Sequence, residues 1–422
     1  MARRRGNMFK VILGDSLHLT DCHVSLRGLA MRNVVSPFTI YELRITKYMS
    51  KVRFWEAVAS LVGMIVGAGL LGLPYAINKF GAVRGLIILI VIGVLFAVQN
   101  LMFAEIVLRT KYRHQLIGFA RKYLGRLAQF VETIFFLFDN YGVILAYVIG
   151  EGVVLSVLLG ADAALCSMVF LLIMSFILIF NLRVLKVVEL WLVIGFLLIM
   201  AAILAGSHGR IDLNNFTSGD WGYSMMAYGV ILFACGGATA VVTLREILRG
   251  NEKLVKKAVL WGSIIPIVIY VLFTVAVIGV AGQDTTEVAT VGLGAKVGAY
   301  MIVCGNLFAA FAMATSFLTK GQVLKEIFIF DFKLSKLNSW LLIVVVPFLL
   351  FMLGVRDFIT ILSIVGGLSM GVTGAMIVAI FWKAKRAGDR EPEFSLPKLK
   401  FIGWLLIAMF LLGTAYTLFQ LC

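Results

Sequence analysis

Gly63-Met-Ile-Val-Gly67-Ala-Gly69-Leu-Leu-Gly72-Leu-Pro74 lies in the middle of the first membrane-length apolar segment of the chain. It puts four glycines and a proline into twelve residues. Each weakens a helix, and a lipid-facing helix gains nothing from them. Backbone groups freed at membrane depth need partners, so such a break is tolerated only inside protein or beside a cavity. A second interruption, Phe233-Ala-Cys-Gly-Gly237, falls in the sixth apolar segment. A stripe of small residues for close helix packing is the plainer reading of the first stretch. It does not account for the pair: interruptions in corresponding segments point to a solute site near the bilayer midplane.

The composition sets the class. Of 422 residues, 61% are hydrophobic and 14% charged, outside the soluble globular range. Runs of about 20 apolar residues predict eleven spans, near 54–79, 82–108, 128–158, 162–181, 187–206, 222–244, 257–281, 298–319, 338–354, 357–382 and 401–421. The expected fold is an all-α polytopic membrane protein with 11 transmembrane helices and no separate soluble domain. With the N-terminus inside, all 38 Lys and Arg fall on the inner side except Lys79, Arg84, Arg210, Lys296 and Arg356. That bias orients the chain with its N-terminus cytosolic and its C-terminus outside. It also explains the net charge of +16, so the partner implied is a lipid bilayer and not nucleic acid.

Residues 1–53 read as a basic cytosolic tail without the apolar run of a secretory signal. Met49, just ahead of Ser-Lys-Val-Arg and the first span, is an alternative natural start. The five cysteines show no C-x-x-C spacing, so neither a metal site nor a disulfide framework is expected. No cofactor is expected beyond a coupling ion.

Spans 1–5 (54–206) and 6–10 (222–382) can be laid over each other, with the two breaks at similar depth. Five spans per half is an odd number, so the second half is inverted; the helix at 401–421 lies outside the repeat. Polar stretches at 112–127 and 283–298, each able to form short helices, follow the second and seventh spans.

The run Gly67 to Pro74, Glu105 with Arg109 closing span 2, Tyr141-Gly-Val-Ile-Leu-Ala-Tyr147 in span 3 and Phe233 to Gly237 in span 6 carry a resemblance. The chain resembles amino acid permeases of the amino acid/auxin permease (aromatic amino acid permease-like) branch of the amino acid–polyamine–organocation superfamily, over residues 54 to about 421. The resemblance implies a leucine-transporter-type 5+5 inverted repeat with broken helices 1 and 6. It implies a secondary active transporter importing a neutral, hydrophobic or aromatic, amino acid across a plasma membrane by alternating access.

A zwitterionic substrate needs donors for its carboxylate and acceptors for its ammonium. A half-helix starting after Gly69 offers free N–H groups and a positive dipole end. By resemblance the amides of Ala68, Gly69 and Leu70 bind the carboxylate, and carbonyls near Phe233 and Ala234 accept from the ammonium. Glycines at 67, 69, 236 and 237, with Cys235 between, let the substrate approach the backbone. Phe233 is expected to cover the site, against the plainer reading of a packed Phe. Tyr141 is expected to touch the substrate, as the span 3 aromatic does in this fold.

Asp139 lies half-way along span 3, where a carboxylate faces a cavity or a partner; the candidate partners are Asn140 and Asn306. Asp139 and Glu105 are the candidate proton carriers, although Glu105 also forms an ordinary i,i+4 pair with Arg109. Glu132, Glu151 and Glu189 sit near span ends and read as solvated or as helix anchors. For the ion, the resemblance implies a site between spans 1 and 8 made of Gly63 and Val66 carbonyls with Ala312, Thr315 and Ser316. Hard cations favour such oxygens, so Na⁺ coupling is expected; the alternatives are proton coupling or exchange, with cationic amino acids among the substrates should Asp139 line the pocket. Intrahelical bonding is the plainer role for the two hydroxyls.

Other classes fit less well. His18, His23, His114 and His208 all lie outside the spans and no H-E-x-x-H occurs, so no catalytic constellation forms. The metal-transporter signatures Asp-Pro-Gly in span 1 and Met-Pro-His in span 6 are absent, and nothing resembles a channel's pore rings. The rival from another class is a non-transporting amino-acid sensor on the same scaffold. Nothing in the pattern requires more than a monomer.

Overall fold

The computed structural model describes residues 37–112, 114–180, 195, 198–199, 201–207, 209–216, 218–330 and 332–421. The chain divides into two units, Met1–Tyr48 and Met49–Cys422, the second of which holds the apolar helices. Among the described residues every regular element is helical. Among the described residues seven helices are long and apolar enough to cross a membrane: Ala82–Arg109, Arg126–Leu159, Trp221–Ile247, Glu252–Asp284, Ile302–Ile329, Phe358–Ala387 and Lys400–Gln420. A pair, Lys51–Ile65 with Gly69–Phe80, is bent by 52°. Two shorter apolar helices, Ala163–Ile177 and Lys336–Met352, fall on two further expected segments. Most of the expected span 187–206, with Glu189, lies outside the described residues.

The glycine-rich stretch does break its helix. Helix α1 (Pro37–Ile65) ends as the Val66 N–H donates to the Val62 carbonyl at 2.8 Å. Gly67 is extended (φ −127°, ψ −150°), and α2 (Ala68–Phe80) opens with the Leu70 N–H donating to the Gly67 carbonyl at 3.1 Å. Pro74 sits inside α2 and removes one more helical donor. Gly81, at φ +121°, turns the chain into α3 (Ala82–Arg109); a Cβ there would strike the Ser218 carbonyl, so only glycine fits.

A short helix, α4 (Leu116–Leu124), precedes α5 (Arg126–Leu159) and α6 (Ala163–Ile177). The second broken span is α7 (Ser224–Cys235) and α8 (Ala238–Ile247), separated by Gly236 and Gly237. Helix α9 (Val255–Ala281) leads to the short α10 (Ala289–Val297). The two short helices α4 and α10 thus occupy the two polar stretches. Then come α11 (Ala299–Phe330), α12 (Lys336–Met352) and α13 (Phe358–Val365). Wider π-type turns over Gly366–Met370 carry α13 into α14 (Gly371–Ala387), and α15 (Lys400–Leu421) follows.

Two expectations change. Helix α11 runs on to Phe330, past the expected end at 319, so Lys320 and Lys325 belong to a helix and not to a loop. A lysine beside an apolar run reads as a span end, but its long apolar stem can lie along a helix surface. Glu132 and Glu151, read as solvated or helix-anchoring, are 0% and 3% exposed, which excludes the solvated reading. The neighbouring helices cover this face of α5, and the Thr373 hydroxyl on α14 donates to the Glu132 carboxylate at 3.1 Å. Val83, Ile87, Ile90 and Val94 remain exposed along one side of α3, as a lipid-facing stripe would be.

Candidate functional site

The two breaks meet. A Cβ added to Gly69 would lie 2.7 Å from the Ala234 Cα and 3.1 Å from Phe233. One added to Gly237 would run into Ile65. The last turns of α1 and α7 and the first turns of α2 and α8 therefore converge at one crossing. Two negative and two positive helix-dipole ends face it, an arrangement that can hold both ends of a zwitterion. The carboxylate donors expected from Ala68, Gly69 and Leu70 reduce to the first two, because the Leu70 N–H is engaged by the Gly67 carbonyl.

The crossing is held by a residue that carried no signal in the sequence. Tyr270, fully buried on α9, has its hydroxyl 2.7 Å from the Ile65 carbonyl oxygen and 2.8 Å from that of Ala234. In continuous helices these carbonyls would accept from residues 69 and 238. The breaks free them, and the single phenol proton of Tyr270 is within reach of both. Beside it lies a cavity of about 10 Å³ lined by Asn100, Cys235, Ser263 and Tyr270 among others, room for one water.

On the other side of the first break stands Tyr147. A Cβ on Gly67 would sit 3.6 Å from its hydroxyl, which is hydrogen-bonded to Ser316 of α11. Tyr141 points elsewhere: its hydroxyl donates to the Leu342 carbonyl of α12 at 3.2 Å, and its ring lies 6.5 Å from Phe328. Six residues along a helix rotate a side chain by about 240°, so the two tyrosines cannot share a face. The span 3 aromatic at the break is Tyr147.

Of the expected ion ligands, Thr315 turns its hydroxyl onto its own helix, donating to Phe311 and Ala312 carbonyls at 3.0 and 3.1 Å. Ser316 meets Tyr147, Gly63 is exposed on α1, and Val66 and Ala312 are half-buried. Phe233 is half-buried against Gly69, while Ala234 and Cys235 are buried; Gly236 faces Met370.

Asp139 finds its partner in Lys320, whose Nζ is 3.1 Å away, in place of the expected Asn140 or Asn306. Asn140 instead donates to the Phe136 carbonyl of its own helix. The extension of α11 is what brings Lys320 alongside α5. Glu105, 0% exposed, is enclosed. Arg109 Nε and Lys385 Nζ each donate to it at 2.8 Å, the Leu396 N–H at 2.7 Å and the Ser395 hydroxyl at 3.2 Å. It ties the end of α3 to α14 and to the segment after it, which describes a structural clamp. Among the described residues no three His, Cys, Asp or Glu cluster as metal ligands would.

The sequence pattern of the tryptophan/tyrosine permease family matches residues 50–419, which includes both breaks, Tyr147 and Tyr270. Tyrosine-specific transport system 1 of Haemophilus influenzae is 25% identical over 356 residues, covering 79% of this chain and 88% of that protein. Tyrosine-specific transport system 2 of the same organism is 23% identical over 245 residues, 56% of this chain and 60% of that one. The Arabidopsis thaliana amino acid transporter AVT6E shares 30% identity over 104 residues, 24% of this chain and 21% of its own length.

Proposed function

The chain belongs to the tryptophan/tyrosine permease family, and we propose that it is a secondary active transporter importing an aromatic amino acid, tyrosine or tryptophan, by alternating access. The observation that carries this is the crossing of the two breaks, where four half-helix ends converge inside the matched region. The amides of Ala68 and Gly69 take the carboxylate and the freed carbonyls near Ala234 take the ammonium. Gly67 gives the substrate room, Gly236 and Gly237 let Met370 and Ile65 close in around it, Tyr147 faces it, and Phe233 covers it. No charged side chain stands at the crossing among the residues named, which suits an uncharged aromatic side chain.

The eleven spans form a 5+5 inverted repeat, residues 54–206 and 222–382, with 401–421 as an added helix, the N-terminus inside and the C-terminus outside. Opening of the packed crossing to either side follows from rocking of one group of helices against the other. Na⁺ couples the transport, held by Gly63 and Val66 carbonyls with Ala312, Thr315 and Ser316; both hydroxyls leave their present partners to bind it. The buried carboxyls of α5, Glu132, Asp139 and Glu151, favour the second reading, a coupling proton, since acids at membrane depth serve as proton relays.

Uptake of labelled tyrosine and tryptophan into proteoliposomes, under separate Na⁺ and pH gradients, tests both. Na⁺-driven uptake that needs much more Na⁺ after Thr315→Ala with Ser316→Ala supports the ion site. Uptake indifferent to Na⁺, following pH and lost in Asp139→Asn, replaces it with the proton. Binding without uptake would identify a sensor and sink the transporter reading.

A further inference from the structure

The crossing has an acceptor surplus. Ile65 and Ala234 present two freed carbonyls, on the negative ends of α1 and α7, to the single proton of Tyr270. A hydroxyl donates one hydrogen bond at a time, so one carbonyl is short of a donor at any instant. An α-ammonium brings three donors and a full charge, and charge-assisted bonds are about twice as strong as neutral ones. It outcompetes a neutral hydroxyl at these oxygens.

The displaced hydroxyl has somewhere to go. Asn100 and Tyr270 line the same small cavity. Asn100 is 1% exposed and donates from its amide nitrogen to the Ser263 hydroxyl at 3.1 Å. Its amide oxygen is buried and has no hydrogen-bond partner among the described residues, a state that is costly for a group at this depth. A phenol turned toward it would satisfy both groups.

The geometry points to Tyr270 as an internal stand-in for the substrate's ammonium. In the empty protein its hydroxyl caps the break carbonyls; when an amino acid enters, the ammonium takes them and the hydroxyl passes to Asn100. Tyr270 is then a positioning residue that senses the α-amino group, and Asn100 is its second seat. This rests on the reading of the crossing as an amino-acid site.

The two residues make opposite predictions. Tyr270→Phe removes the competitor, so tyrosine binds about fivefold tighter, the size of one net neutral hydrogen bond. Asn100→Leu removes the second seat while keeping the branched shape, so tyrosine binds about fivefold more weakly. Binding of 3-(4-hydroxyphenyl)propionate, which lacks the amino group, stays unchanged in both. The measurement is equilibrium binding of both ligands to the full chain in detergent. The 19F signal of fluorotyrosine at position 270 in the otherwise unaltered protein is a readout that needs neither variant to fold; it shifts with tyrosine and not with the desamino acid. Equal changes for the two ligands, no change, or a weaker Tyr270→Phe would make Tyr270 a scaffold residue only and overturn the assignment. If the unaltered protein binds no amino acid, the functional reading itself fails and this one falls with it.

Discussion

Two places in this molecule gather helix ends, and they hold them by opposite means. At the crossing of the breaks the partners are backbone dipoles, close glycine contacts and one hydroxyl shared by Ile65 and Ala234. At the end of α3 the partners are full charges. Glu105 is surrounded by Arg109, Lys385, the Ser395 hydroxyl and the Leu396 N–H, and Arg245 of α8 donates to the Val107 and Thr110 carbonyls. The first arrangement leaves two carbonyls to one neutral hydroxyl, a contact that an entering ammonium would take over on the proposed reading. The second has a buried carboxylate whose partners nothing in transit can replace without leaving charge unpaired. A transporter needs both: a crossing that exchanges its partners, and a collar that keeps the helices registered while it does.

The largest effect is expected at the crossing. Gly69→Val places carbon against the Ala234 backbone, which has no flexible end to give way, and overpacking of this kind costs about 1–3 kcal/mol or more. The sequence alone leads one to expect a variant that folds normally and merely fails to bind. The contact changes that: uptake is abolished and folded yield falls together. Gly67→Ala is the control, since its Cβ meets only the Tyr147 hydroxyl at 3.6 Å. It folds as before, and tyrosine affinity drops severalfold. Gly69→Val with normal uptake would mean that the breaks do not touch.

Next comes the collar. Glu105→Ala leaves Arg109 and Lys385 without their shared acceptor, and breaking a buried pair from one side costs about 3–5 kcal/mol. The two cations keep 17% and 12% side-chain exposure, so the lower end of that range applies. The thermal midpoint in detergent should fall by several degrees while the KM for tyrosine is unchanged below it. A KM that rises in step with the loss of stability would merge the two regions into one and remove the distinction between them.

The sequence and the structure agree unevenly across these regions, for physical reasons. Both breaks were legible because glycine and proline inside an apolar run have few other uses at membrane depth. Asp139 and the Glu105–Arg109 pair were legible because charge is rare there. Tyr270 was not: a tyrosine in an apolar helix carries no local signal, and its acceptor Ile65 is 205 residues away. Tyr147 closes the span 3 motif, but choosing it over Tyr141 requires knowing the rotation of α5. Lys320 was hidden because its lysine suggested the end of a span that continues to Phe330. Ser395 and Leu396 lie in a segment with no periodicity to read. Sequence patterning thus found where the backbone departs from a helix, and missed the side chains that reach across to repair it.

The smallest effect sharpens the collar's own anatomy. Asp389 sits at its rim, where Lys122 and the Lys111 N–H donate to its carboxylate and its own N–H donates to the Arg109 carbonyl. The Lys122 hydrogen bond, followed by that from the Lys111 backbone, holds this carboxyl below the ordinary carboxylate range. A depressed folded-state pKa contributes stability that is fully present above the unfolded value of about 3.9 and is lost as pH falls through the folded one. The contribution should therefore be flat from neutral pH down to about 5 and should fade only below that range. Its side chain is 33% exposed, so solvent screens the pair and Asp389→Asn should cost about 0.5 kcal/mol or less. Thermal melts of both proteins at pH 4 to 8 check this, with the gap narrowing only at the acid end. If Asp389→Asn destabilised as much as Glu105→Ala, the anchor of the collar would be the rim contact, and burial of Glu105 would not be what fixes the helix ends.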